Sequence, residues 1–353
     1  MVKKKSIFFN VLSKNITDIV PLYCTGYPEF EFIRKYIHRY GIKSGEDENL
    51  ILKNKDYSII KYMGFDAISV WDFRRGSGGY KLNGKLSVDG WGRIYERNWY
   101  LNDGVFKDLN IMQNWKHLTL PSKENLALLN KFLIQIKSKL NLDIILSLPG
   151  LFEKTWQSMG FLHFAKSLKN GSNIELIRGI IEFFSNYLEE LIKTLHRTGA
   201  ELFLIADDCG YKTREFIPKE TWQDLFLEEY MKIVDLIHNK NNFVIIHSDG
   251  YISNLIDVFI DIGFDAIQSL ESSAGNDIIS LFQKYKNKIT FIGNLDMSEL
   301  MFGTPEQVKK YIEKLIKKAR KYNCLFIISP TQQINAKVKP ENIKAMIDTT
   351  KIF

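Results

Sequence analysis

From about residue 120 to the C-terminus, apolar positions follow two alternating patterns. Short unbroken runs such as Ile144-Ile145-Leu146, Leu202-Phe203-Leu204-Ile205 and Phe243-Val244-Ile245-Ile246 suit strands buried on both faces, and further strands are read near 266–269, 289–292 and 325–328. Between them lie stretches whose apolar residues recur every three or four positions. These predict helices over 123–140, 173–198, 220–239, 275–285, 305–322 and 340–350, and Ile252, Leu255, Ile256 and Phe259 mark one helical face just after the 243–246 run. Strand and helix in strict alternation predict a parallel sheet.

The first part of the chain reads differently. Residues 1–64 form an N-terminal extension in which 20–28 looks extended, 29–40 reads as a helix ended by Gly41, and 56–63 as a second helix stopped at Gly64. The first clear strand, 65–71, ends at Asp72. From 74 to 100 the pattern shifts to glycine, aromatics and alternating polar residues, which predicts one or two β-hairpins inserted after that strand. Seven strands are readable, and an eighth fits near 20–23. The expected fold is therefore an α/β chain forming a (β/α)8 TIM barrel as a single domain over 1–353, preferred to an open doubly wound sheet because no Gly-x-Gly-x-x-Gly follows the first strand.

Composition narrows the classes without choosing one. Of 353 residues 48 are basic and 41 acidic, for a net charge of +7. The lysines of 309–321 fall at helical spacing and suit a solvated face better than a nucleic-acid surface, so no nucleic-acid partner is expected. No run approaches the roughly 18 apolar residues of a membrane span, and the basic start carries too short an apolar stretch for a signal peptide. Cys24, Cys209 and Cys324 offer neither a disulfide framework nor a Cys-x-x-Cys clip. A cytoplasmic protein with no membrane partner is expected, and a homodimer only on the general frequency of symmetric oligomers.

The residues just past each strand carry the chemistry, because strand ends converge on one mouth in a barrel. They include Asp72 and Arg74, Asp207 and Asp208, His247 and Asp249, Gln268 and Glu271, Asn294 and Asp296, and Gln332. Singly, Asp208, Asp249 and Asp296 also suit helix N-caps, and His247 a hydrogen-bonded core histidine. Their coincidence at successive strand ends is what marks a site.

Ile292-Gly293-Asn294-Leu295-Asp296, followed by Leu300 and Gly303-Thr304-Pro305-Glu306-Gln307-Val308, resembles a signature of the uroporphyrinogen decarboxylase superfamily, which also holds the cobalamin-dependent methyltransferases. Asp207-Asp208-Cys209-Gly210, His247-Ser248-Asp249-Gly250, Ile328-Ser329-Pro330 and 339–346 extend the resemblance over roughly 200–346, with fainter echoes at 25–29 and 88–93. It implies a (β/α)8 barrel with its site at the strand ends. Decarboxylases of this kind carry an arginine-rich N-terminal segment; here 23–29 has no arginine, and Gln332 stands where their histidine is expected. The methyltransferase branch binds zinc through His-x-Cys and a distant cysteine. This chain keeps His247, has Asp249 for the first cysteine, and reads Thr331-Gln332-Gln333 at the second.

His247 and Asp249 can still ligate zinc or a harder divalent metal, or act without metal in proton transfer and substrate orientation. Both readings stay open. Trp71, Tyr80, Trp91, Tyr95, Trp99 and Tyr100 either wall a substrate pocket or form the core of the insertion. The expectation is a methyltransferase exchanging methyl groups with a corrinoid (cobalamin), supplied free or on a partner protein because no Asp-x-His-x-x-Gly module is present, together with a small-molecule donor or acceptor. Its catalytic residues are His247, Asp249, Asp207, Asp208 and Asp72, with Tyr27, Trp71, Arg74, Glu271, Asn294 and Gln332 binding substrate. A decarboxylase, or a barrel that only binds a corrinoid or a protein, are the alternatives.

Overall fold

Eight short strands rich in Ile, Leu, Val and Phe pair in parallel, in the order of the chain: β1 (Tyr23–Cys24), β2 (Ala67–Val70), β3 (Asp143–Pro149), β4 (Leu202–Ala206), β5 (Phe243–Ser248), β6 (Ala266–Ser269), β7 (Thr290–Leu295) and β8 (Phe326–Pro330). The structure is a computed structural model and describes residues 6–15, 18–43, 45, 47–71 and 79–353. A parallel bridge between Leu22 and Ile328, with the Ile328 N–H donating to the Pro21 carbonyl at 3.0 Å, joins the last strand to the first. The sheet thus closes into the expected (β/α)8 barrel, and the eighth strand lies in the N-terminal segment.

Right-handed crossover helices cover the outside. Ile174–His196, Lys219–His238, Pro305–Lys321 and Pro340–Ile352 match the predicted ranges within two residues, and Lys123–Leu140 matches outright. Two differences have a local cause. The helix after β5 begins only at Ile256, because the Gly250–Leu255 stretch is held as loop by Asn276, whose side chain accepts from Ile252 N–H and donates to the Gly250 carbonyl. The segment after β3 folds into two further helices, Leu151–Met159 and Phe161–Asn170, which were not expected because aromatic and polar residues interrupt their apolar period. No helix among the described residues is long and apolar enough to cross a membrane.

The barrel interior changes character along its axis. Near the strand starts it holds Tyr23, Ala67, Ile145, Leu202, Leu204, Ile245, Ala266, Ile292 and Ile327, sealed from below by a short helix, Ile7–Leu12, which contributes Phe8, Phe9, Val11 and Leu12. Side chains on one face of a strand recur every second residue, so the next layer up is Thr25, Ser69, Ser147, Ala206, His247, Gln268 and Ser329. The floor is apolar and the mouth polar. That gradient places the chemistry at the strand ends.

The inserted segment forms a four-stranded antiparallel meander, Tyr80–Asn83, Leu86–Val88, Arg93–Glu96 and Trp99–Gly104, ending four residues beyond the predicted 74–100. Its aromatics mostly build its own core and its seat on the barrel. Trp91 packs on Phe184 and Tyr187, Tyr95 on Tyr100, and Tyr80 on Trp115, whereas Trp99 is 80% exposed.

Candidate active site

His247, next to last in β5, faces inward, its side chain only 12% exposed. Its Nδ1 is hydrogen-bonded to Gln268 Oε1 from β6. The orientation of that amide is fixed from behind: Gln268 Nε2 donates to Thr25 Oγ1 at 3.2 Å and to the Thr331 carbonyl at 3.1 Å. With its NH2 so engaged, Gln268 can only accept from the imidazole, so Nδ1 carries a proton and a neutral ring presents its Nε2 lone pair to the mouth.

That nitrogen faces two carboxylates, Asp249 Oδ1 at 3.7 Å and Asp208 Oδ1 at 3.9 Å. Asp208 follows β4 and Asp249 follows β5, and the two loops meet through glycines. Gly250 holds φ +76°, and a Cβ there would lie 2.6 Å from the Gly210 backbone; one on Gly210 would lie 2.7 Å from the Asp249 carbonyl oxygen. Only glycine at both positions permits this approach. Across it, the Asp249 N–H donates to Asp208 Oδ1 at 3.0 Å. Neither aspartate caps a helix, whereas Asp296 does, accepting from Ser298 N–H at 2.9 Å.

The electrostatics follow from this crowding. Burial opposes charging of His247, but Asp249 and Asp208 outweigh it and raise the imidazole above its usual value, with Glu153 adding to the field. Burial raises the Asp249 carboxyl, His247 opposes this, and Asp208 and Glu271 reinforce it. Asp249 Oδ1 is buried without a hydrogen bond of ordinary geometry among the described residues, and the nearby Ser269 hydroxyl favours the charged carboxylate. Its other oxygen takes a hydrogen bond from Gln332 Nε2 at 3.2 Å, and Gln332 also reaches Glu271 Oε1 at 2.9 Å. Glu271 Oε2 in turn accepts from Gly250 N–H.

The donor atoms of Asp208, His247 and Asp249 all lie within 4.8 Å of one another. Tetrahedral bonds of about 2.0–2.1 Å place ligand atoms roughly 3.3 Å apart, so the two His247 separations, 3.7 and 3.9 Å, exceed that spacing by roughly half an ångström. One lone-pair nitrogen and two carboxylate oxygens suit a divalent cation with an open position for substrate.

Several expected residues take other places. Asp207 is fully buried, and burial raises its carboxyl to about 7 against the hydrogen bonds it accepts from Tyr230 and from the backbone of Glu153 and Phe152. Those bonds anchor the Leu151–Met159 helix, so Asp207 is a fastener and does not face substrate. Tyr27 turns away from the mouth: its ring packs on Tyr57 and its hydroxyl donates to the Asp56 carbonyl. Asn294 points outward to the Pro305–Lys321 helix, accepting from Tyr311 at 2.6 Å and donating to the Leu270 carbonyl. Trp71 follows β2 directly, with its ring against Gly26. Asp72 and Arg74 lie outside the described residues. Two contributors went unassigned from sequence. Gln268 was named among the strand-end residues but given no role, although its alternation with Ala266 puts it on the inward face of β6, and Glu153 gave no signal because its helix gave none.

Comparison with known proteins agrees with this architecture. The chain superimposes on a methyltransferase from Methanosarcina mazei with a TM-score of 0.70, over 99% of each chain at 14% identity. A B12-independent methionine synthase from Shewanella sp. W3-18-1 aligns more loosely, TM-score 0.45, at 12% identity over 94% of this chain and 97% of that one. A search of curated proteins finds no match. Residues 160–353, more than half of the chain and including β4 to β8 with Asp208, His247, Asp249, Gln268 and Glu271, match the family model for uroporphyrinogen decarboxylase (URO-D), and by that match this barrel is a member of the uroporphyrinogen decarboxylase family.

Proposed function

We propose that this chain is a metal-assisted methyltransferase that moves a methyl group between a corrinoid and a small thiol or comparable nucleophile. The observation that carries the reading is His247 Nε2 set against Asp208 Oδ1 and the buried Asp249 Oδ1 at the barrel mouth. Two carboxylates balance the charge of a divalent cation as the two thiolates expected of methyltransferase relatives would. A divalent cation held by Asp208, His247 and Asp249 would favour the thiolate form of a bound thiol at neutral pH.

The chain's own residues define the rest. Gln268 holds the imidazole in the tautomer that offers Nε2, and Thr25 and Thr331 hold Gln268. Gln332 ties Asp249 to Glu271 and closes the far side of the site. The strand-end segments 208–209, 247–251, 268–271 and 330–333 carry three carboxylates, Asp208, Asp249 and Glu271, and no lysine or arginine. These segments offer no arginine to pair with the carboxylates of a porphyrinogen, which speaks against its decarboxylation here.

The test is metal content by mass spectrometry of untagged protein purified without chelator, beside His247→Ala and Asp249→Asn, followed by methyl transfer from methylcobalamin to a panel of thiols. About one equivalent of a divalent metal in the parent, lost in both variants together with transfer, is the expected result. A parent protein that takes up no divalent metal on reconstitution would overturn the reading.

A further inference from the structure

Beside the mouth lies a second cleft, of about 420 Å³, walled by Trp156, Phe161, Tyr211 and Phe216, with Glu215 and Arg214 contributing the charge. That is the size of a small-ligand site. The rings form a continuous group centred on Phe216, which lies 6.3 Å from Trp156, 6.2 Å from Phe161 and 5.6 Å from Tyr211 between centroids. Phe161 and Tyr211 remain 43% and 52% exposed, so their surfaces are not consumed by mutual packing.

The geometry is fixed. Residues 209–216 double back on themselves, with an antiparallel bridge between Gly210 and Glu215 and backbone bonds from Phe216 N–H to Cys209 and from Tyr211 N–H to Arg214. Two polar atoms of the cleft are buried and have no hydrogen-bond partner among the described residues: Glu215 Oε1, an acceptor, and Trp156 Nε1, a donor. A buried polar group left unpaired is costly, a carboxylate most of all. Glu215 makes no ion pair among the described residues, and Arg214, next to it in the turn and also lining the cleft, is exposed.

We propose that this cleft binds a small zwitterion with a methylated ammonium group at one end and a carboxylate at the other. The ammonium lies among the ring faces and against Glu215, where aromatic quadrupole and carboxylate attract the same charge. A bare metal ion is disfavoured, because aromatic walls and a single carboxylate cannot supply its coordination shell. The anionic end accepts from the Trp156 indole N–H and approaches the Arg214 guanidinium. The loop that ends in this cleft begins at Asp208, so the ligand sits on the flank of the mouth. The assignment does not rest on the methyl-transfer reading.

The test is isothermal titration of the full chain with glycine betaine, with tetramethylammonium, and with 3,3-dimethylbutyrate, the carbon isostere that keeps shape and carboxylate but not the positive charge. Saturable one-to-one binding of the betaine, at least about tenfold tighter than either comparison compound, is expected on the scale of a desolvated cation–π contact. Glu215→Gln should weaken it by about tenfold or more, and Trp156→Phe should erase the advantage over tetramethylammonium, both with an unchanged circular dichroism spectrum. His247→Ala should bind the betaine as the parent does, which separates this site from the metal centre. Equal binding of the carbon isostere, or no saturable binding of the betaine, would overturn the proposal, as would insensitivity to both substitutions.

Discussion

Gln268 decides what His247 can do. An imidazole exchanges its proton freely between two nitrogens unless a neighbour chooses, and here the choice is made by an amide whose own direction is set by Thr25 and Thr331. On the proposed metal-assisted reading, replacing it with leucine should leave Asp208, His247 and Asp249 in place but release the tautomer, and metal affinity measured against a competing chelator should fall about 10- to 100-fold, the usual cost of losing such a partner. Gln268→Glu, which still accepts from Nδ1, should retain affinity close to the parent value. Equal losses in both variants would mean that Gln268 only fills space. A second residue-scale prediction concerns Asp143 at the opposite rim, whose carboxyl burial raises to about 6 although Ser6 and Lys137 oppose it. The folded state thus binds this proton more tightly than the unfolded chain. Its contribution to stability is fully present below about pH 4 and is lost as pH rises through about 6. Two pKa units set a ceiling of roughly 3 kcal/mol, and partial exposure of Asp143 reduces it to about 1 kcal/mol. Asp143→Asn, which can still accept from Ser6, should be the more stable protein at pH 7 and lose that advantage near pH 4, as read from urea midpoints at the two pH values.

At the scale of elements, the site is two loops pressed together. The β4 and β5 ends carry Asp208 and Asp249 to His247 only because Gly210 and Gly250 let one backbone lie on the other. Gly250→Ala adds both a positive-φ strain and a clash with the Gly210 backbone. It should separate the carboxylates and lower metal affinity by at least about tenfold, at a stability cost of about 1–3 kcal/mol; unchanged affinity would show that the loops can part without harm. This scale also shows what the sequence could convey. The β-strands were readable as apolar runs, and the mouth as the polar residues ending them, because both signals are local and repeat with a short period. The pairing of Gly210 with Gly250 was not, since neither glycine looks unusual by itself. Tyr27 and Asn294 were assigned to the mouth from their positions near strand ends, yet direction depends on the backbone that follows: Tyr27 belongs to the Tyr57 aromatic group and Asn294 to Tyr311.

The molecule as a whole separates what holds it together from what it does. Its closure depends on the least legible part of the sequence, the two-residue β1 and the Leu22–Ile328 bridge, because so short a strand has no period to read. Below the bridge, Ile7–Leu12 caps the barrel floor with Phe8, which is fully buried and meets Tyr23 at 6.1 Å. That helix went unread, because Asn10 interrupts its apolar run. In barrels of this kind the strand-end face carries function and the opposite face stability, so the two should respond independently here. Phe8→Ala removes a large ring from a sealed floor that cannot collapse around the gap, and should cost about 3–5 kcal/mol. The urea midpoint should fall accordingly. Metal affinity of the folded fraction and betaine binding in the flanking cleft, both as proposed, should remain at parent values, because Thr25, Ser69, His247 and Gln268 are hydrogen-bonded among themselves and to residues at the mouth. A Phe8→Ala protein that keeps its midpoint would place the helix outside the core, and one that loses metal binding while still folded would show that the floor positions the mouth.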